Sequence, residues 1–151
     1  MISQTVEYAL RAVVYLAKET PHACTTDQIA RETLVPKAYL SKVMQSLVRS
    51  GLVRSQRGLG GGMTLTRGTD AISLLEVVNA VEPLKRILSC PLGIATHGAN
   101  LCPLHRRLDD ALESLQDSFG STTLAEILAT PGASVPLCRV SPKPHAIALG
   151  K

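Results

Sequence analysis

Apolar residues recur at helical spacing through the first fifty positions. Val6, Ala9, Leu10, Val13, Val14 and Ala17 fall at i, i+3, i+4 intervals, which predicts an amphipathic helix from about Thr5 to Lys18. Thr25 followed by Gln28 has the composition of a capping box, in which each residue satisfies an orphan N–H of the other, and opens a second helix over Thr26–Glu32. Leu34 and Val35 make the turn. Pro36 is placed as the first residue of a third helix, where a missing N–H costs nothing. That helix carries Leu40, Val43, Met44, Leu47 and Val48 on one face, and Gly51 is expected as its C-cap.

The period then shortens. Gly51–Ser55 and Met63–Thr66 read as short strands flanking a turn rich in glycine, a residue that reaches φ > 0 without steric cost. Ser73 and Glu76 form another capping box, predicting a helix over Leu74–Val81. Pro83–Leu101 reads as a loop or short helical turn. Pro103 opens a long helix to about Phe119, along which Leu101, Leu104, Leu108, Ala111 and Leu115 alternate by threes and fours, like a coiled-coil seam. Leu112 and Phe119 widen the seam, and Thr123 with Glu126 caps a last helix over Leu124–Ala129. Prolines at 131, 136, 142 and 144 among scattered polar residues predict a flexible tail over residues 131–151. The expected fold is mainly α: a winged helix-turn-helix domain over residues 1–67 with a small β-hairpin wing, followed by a long C-terminal dimerisation helix.

Composition narrows the picture. Aromatic residues are 3% of the 151 and Trp is absent, so the core must be aliphatic, which suits packed helices. No apolar run approaches a bilayer span and Met1–Thr20 has no cleavage pattern, so a cytoplasmic protein without membrane association is expected. Charge is unevenly placed: residues 1–67 carry nine Lys/Arg against four Asp/Glu, whereas residues 68–130 carry four against eight. A basic first half points to a nucleic-acid face, because Lys and Arg neutralise phosphates.

The third helix presents Lys37, Ser41, Lys42, Gln45 and Arg49 opposite its apolar stripe. A major groove asks for such a front: Lys and Arg for guanine or phosphate, Gln for adenine, Ser for either. Candidate DNA contacts are Lys37, Tyr39, Ser41, Lys42 and Gln45 on the helix, with Arg54, Arg57 and the backbone of Gly60, Gly61 and Gly62 on the wing. A solvated helix beside a flexible surface hairpin is the plain alternative, and Tyr39 has a packing role against the first helix open to it. If the long helix pairs two chains, two reading heads meet a roughly palindromic duplex; the alternative packs that helix within its own chain. No nucleophile–base pair stands at a recognisable spacing and no phosphate loop precedes a helix, which argues against an enzyme or a small electron carrier.

Four cysteines, Cys24, Cys90, Cys102 and Cys138, suggest metal or redox chemistry rather than a disulfide framework in a cytosolic chain. The segments VEYALRAVVYLA, YLSKVMQSLVRSGLV, RGLGGGMTL and ISLLEVVNAVEPL, in this order and followed by the cysteine segment, resemble the IscR/NsrR family of bacterial winged-helix regulators. The resemblance extends to about Ala129 and implies a homodimeric transcription regulator with a sensor loop and dimerisation helices over residues 68–130. Many such regulators sense iron–sulfur status, nitric oxide, iron or redox stress through a cluster; others sense metabolites without one.

Cluster-bearing members carry three cysteines before the long helix. Cys90 and Cys102 match the outer two, while Thr96 and His97 occupy the neighbourhood of the middle one. The resemblance also implies that Glu7 of the partner subunit completes the site; an i,i+4 ion pair with Arg11 is the local alternative. His105 lies one turn inside the long helix, and Cys102 precedes Pro103 at its N-terminus, where the helix dipole favours a thiolate. The expected site is a [2Fe–2S] cluster on Cys90 and Cys102 with His105 or His97 and Glu7. A mixed thiolate–imidazole set suits such a cluster, and the same donors admit zinc or a metal-free thiol sensor.

Overall fold

The stripe on the first helix is the centre of the molecule. A computed structural model describes residues 2–97, 100–130 and 136; the tail beyond Thr130, with Cys138, otherwise lies outside the described residues, as does the side chain of His97. Helix α1 (Gln4–Glu19) is opened by the Ser3 hydroxyl accepting from Val6 N–H, and it buries Ala9, Ala12, Val13, Leu16 and Ala17. It packs on α2 (Thr26–Thr33), α3 (Lys37–Arg49), α4 (Leu74–Val81) and α6 (Leu124–Ala129). Ile29, Leu40, Leu47, Ile72, Val77 and Leu124 close one aliphatic core around it, so elements on both sides of residue 67 share that core. The capping boxes at Thr25/Gln28, Ser73/Glu76 and Thr123/Glu126 all form.

Several boundaries differ from expectation. Pro36 is the N-cap of α3 rather than its first residue, and α3 has no side-chain cap there. Ser50 is the C-cap, and Gly51 follows it at φ +79. Gly51 N–H donates to Val48 O at 3.0 Å and Leu52 N–H to Leu47 O at 3.1 Å, a Schellman ending with Leu47 and Leu52 both buried. That ending takes Gly51 and Leu52 out of the first strand. The hairpin is β1 (Val53–Gln56) against β2 (Gly62–Leu65), antiparallel, with Val53 opposite Leu65 and Gln56 opposite Gly62.

Leu34 closes α2 at φ +56 and its side chain is 81% exposed. A leucine pays for left-handed backbone with a Cβ–carbonyl clash that glycine avoids. Leu34→Gly should therefore stabilise the protein by about 0.5–1 kcal/mol, the relieved clash outweighing the freer unfolded chain. A thermal melt that moves down instead would show that the side chain contributes packing.

Helix α5 (Pro103–Ser121) is different in kind. Of its 19 residues only Asp109 is buried, and it packs against α4 along one side. Leu104 and Leu108 of the predicted seam are 65% and 47% exposed. No helix among the described residues is long and apolar enough to cross a membrane.

Candidate nucleic-acid interface and cysteine segment

The front of α3 and the hairpin face one another across a groove of about 560 Å³, lined by Thr26, Ser41, Met44, Gln45, Val48 and Ser55 among others. The helix-turn-helix brings α3 to the surface because its back, with Leu40, Val43, Met44 and Leu47, is held by the core. Gln45 is exposed in this groove, and Lys42 is exposed at a separate, smaller cleft with Tyr8 and Tyr39. Ser41 is half-buried and its hydroxyl donates to Lys37 O at 3.0 Å, leaving its lone pairs as the available function. Lys37 Nζ stands 2.6 Å from Asp27, an exposed pair of the kind that contributes little to stability and exchanges readily for a phosphate. Tyr39 leans on Tyr8 of α1, ring centroids 6.2 Å apart, yet keeps more than half its surface exposed. Arg54 and Arg57 are exposed and form no ion pair among the described residues.

The hairpin is pinned from below. Cys24 N–H donates to Met63 O at 3.0 Å and Met63 N–H to Cys24 O at 2.7 Å, so the α1–α2 connection adds one bridge to β2. Gly62 (φ +152) passes so close that a Cβ there would stand 2.8 Å from Cys24 O. This approach alone accounts for a glycine at 62. Sequence reasoning missed it, although a Cys24 backbone contact has no sequence signature. The Cys24 thiol is buried, and burial pushes it above the ordinary thiol range, which suits a core residue rather than a reactive one.

The second candidate site lies at the other end. Cys102 is the N-cap of α5, and its Sγ stands 3.4 Å from His105 Nδ1. The i,i+3 spacing on one turn makes that pair. Cys90 is buried on the irregular connection before α5, its carbonyl accepting from Gly93 N–H at 3.0 Å. Thr96 sits in a short 3₁₀ turn over Ala95–His97 and is exposed. Glu7 lies on α1 and pairs with Arg11 at 2.6 Å, while Arg11 also reaches Thr33 O. Among the described residues no three His, Cys, Asp or Glu side chains converge as a metal site would require. In chemistry the donors suit an iron–sulfur cluster; among the described residues the contact seen is that of Cys102 with His105.

The connection is tied to α5 by a clamp that sequence reasoning did not foresee. Arg86 donates twice to Asp109, at 2.7 and 2.6 Å, and its third nitrogen stands 2.8 Å from Glu113. Ile87 N–H donates to Asp109 at 2.8 Å and Gln116 to Leu84 O at 2.8 Å. The Arg86 guanidinium holds the Asp109 carboxyl down to about 2.

Comparison with known proteins fits this geometry. Residues 2–130 match the Rrf2 family, described as "Iron-dependent Transcriptional regulator". An rrf2-like sequence of Rhodobacter capsulatus is 30% identical over 139 residues, covering 85% of this chain and 93% of its own length. CymR, the global cysteine regulator of B. subtilis, superposes with a TM-score of 0.70 at 25% identity, covering 84% of this chain and 95% of its own. T. potens IscR superposes with a TM-score of 0.70 at 22% identity over 85% of each chain, a likeness of fold.

Proposed function

The chain belongs to the Rrf2 family of transcriptional regulators and is a DNA-binding regulator of that kind, and on this premise we propose how it reads DNA and what it senses. Two copies pair through α5 and set two reading heads on a roughly palindromic duplex. The observation that carries the pairing is the exposed leucine face of a 19-residue helix with a single buried residue. Lys42, Gln45 and Ser41 of α3 enter the major groove, Tyr39 and Lys37 flank them, and Arg54 and Arg57 with the Gly60–Gly62 backbone meet phosphates and sugar edges. The functional division then follows residues 1–67 for reading and 68–130 for sensing and pairing.

The sensor in this proposal is the Cys90–His105 segment. Cys90 and Cys102 would hold a [2Fe–2S] cluster, with His105 or His97 and Glu7 of the partner subunit as the remaining donors. Bound there with few thiolates, such a group supplies a raised potential and lability toward oxidant or nitric oxide. The chain's own part is mechanical. Cys102 caps α5, so ligation at Cys102 acts on the first turn of that helix. Asp109, further along α5, grips Arg86 and Ile87 of the connection that follows α4. Helix α4 packs on both α5 and α3, which links the sensor end to the reading helix.

A second reading, a thiol-redox, metabolite or zinc sensor without a cluster, is favoured by the Cys102–His105 pair, with no three such donors gathered among the described residues. Anaerobic purification with iron and sulfide determination, followed by DNA binding of loaded and emptied protein, separates the two. Iron, sulfide, visible absorbance and a shift in DNA affinity are expected. Colourless, iron-free protein after reconstitution rejects the cluster. For the wing, Arg57→Ala should weaken binding and lower the log–log salt slope by about one. An unchanged slope would remove Arg57 from the phosphate contacts.

A further inference from the structure

One side chain on the wing has no use in the free protein. Leu59 stands at the tip of the hairpin loop, 109% exposed, between Gly58 and Gly60 and two residues from Arg57. Gly61 N–H donates to Gly58 O at 2.9 Å, closing a turn in which Leu59 is the second residue and Gly60, at φ +73, the third. This is the arrangement that type II turns require, and it throws the second side chain outward. Of the four turn residues, Leu59 alone has a side chain. The tip is therefore as narrow as a polypeptide can be, with one apolar prong.

The prong stands on a braced ribbon. The Cys24–Met63 bridge holds β2, and Thr66 closes the base by donating to Gly51 O at 2.6 Å. Arg57, two residues before Leu59, and Arg54, on β1 opposite Thr64, are exposed, and their charge draws the wing toward phosphates.

We infer that Leu59 is a wedge, inserted from the minor groove into a base-pair step of the bound duplex. The inference rests on the proposed assignment of α3 and the hairpin as the DNA interface. With α3 in the major groove, the hairpin beside it reaches the neighbouring minor groove, about 6 Å wide, which admits a glycine tip and excludes a bulkier one. Apolar wedges of this size partly unstack a step and kink the duplex. Pyrimidine–purine steps yield most easily, so Leu59 selects for a flexible step at a position where no hydrogen bond reads the base.

The test uses the full chain and a duplex recovered by in vitro selection from a randomised library. A fluorescent adenine analogue is placed at each pyrimidine–purine step, and end-to-end energy transfer reports bending. Binding of the unaltered protein and of Leu59→Met should brighten one analogue and shorten the end-to-end distance. Leu59→Ala should abolish both signals and lose about ten-fold in affinity with its salt slope retained, since the loss is apolar. The side chain is fully exposed, so folding is not at stake. Retained brightening and bending in Leu59→Ala would overturn the wedge, as would lost affinity with both signals intact. If Arg57→Ala weakens binding while Leu59→Ala changes nothing, the wedge alone falls. An unaltered protein that binds no duplex overturns the interface on which the wedge rests.

Discussion

Gly62→Ala should cost the protein its wing. The new Cβ would lie 2.8 Å from Cys24 O and 2.9 Å from Cys24 C, backbone atoms that cannot turn aside, at a φ of +152 that an alanine resists. Relief requires β2 to lift from the α1–α2 connection, breaking the two Cys24–Met63 hydrogen bonds. A loss of roughly 2–3 kcal/mol in stability is expected from strain and unmade backbone bonds together. DNA affinity should drop by more than about ten-fold, because Arg54, Arg57 and the tip lose their fixed position relative to α3. Gly58→Ala is the matched control: φ is +100 there, but nothing lies within 4 Å of a Cβ, so strain acts without a collision. Thermal melts and fluorescence anisotropy on a selected duplex compare the two. Equal effects would mean that the bridge to Cys24 does not position the wing.

The second large effect is expected at Asp109. Asp109→Ala removes the acceptor of two Arg86 bonds and of Ile87 N–H, leaving Arg86 with Glu113. The melting temperature should fall by roughly 5 °C, and the Ile87 amide should exchange with solvent at least about ten-fold faster. Acid sensitivity gives an independent readout. The folded carboxyl sits at about 2 against an ordinary 3.8, so its contribution is complete above pH 3.8 and disappears as pH falls through about 2. Between those limits the unfolded chain binds more protons, and stability rises with pH. The alanine variant should lose this part of the acid dependence. A variant with the same acid profile as the unaltered protein would show that the clamp does not hold the connection to α5. The same variant tests the sensor path: if the clamp carries the signal, DNA binding should respond less to the state of Cys102 while remaining intact.

What could be read from the chain follows from how far each determinant reaches. Capping boxes act within four residues, so Thr25/Gln28, Ser73/Glu76 and Thr123/Glu126 marked their helices correctly. The stripes on α1 and α3 gave the core, and the polar front of α3 gave the candidate reading face, because helical periodicity fixes which residues share a side. The Cys102–His105 pair was legible for the same reason, one turn of one helix. Tertiary packing decided the rest. It set Gly51 in a left-handed ending and so shortened β1, it carried Cys24 to β2, and it joined Arg86 to Asp109 across 23 residues. It also placed Cys90 in the interior and gathered no three-donor group among the described residues. Contacts between distant segments depend on how whole helices dock, and no local spacing encodes that. The amino-acid order therefore determined the helices, the hairpin and the candidate face for DNA, while docking of those parts decided what braces the wing and which candidate sensor residues meet.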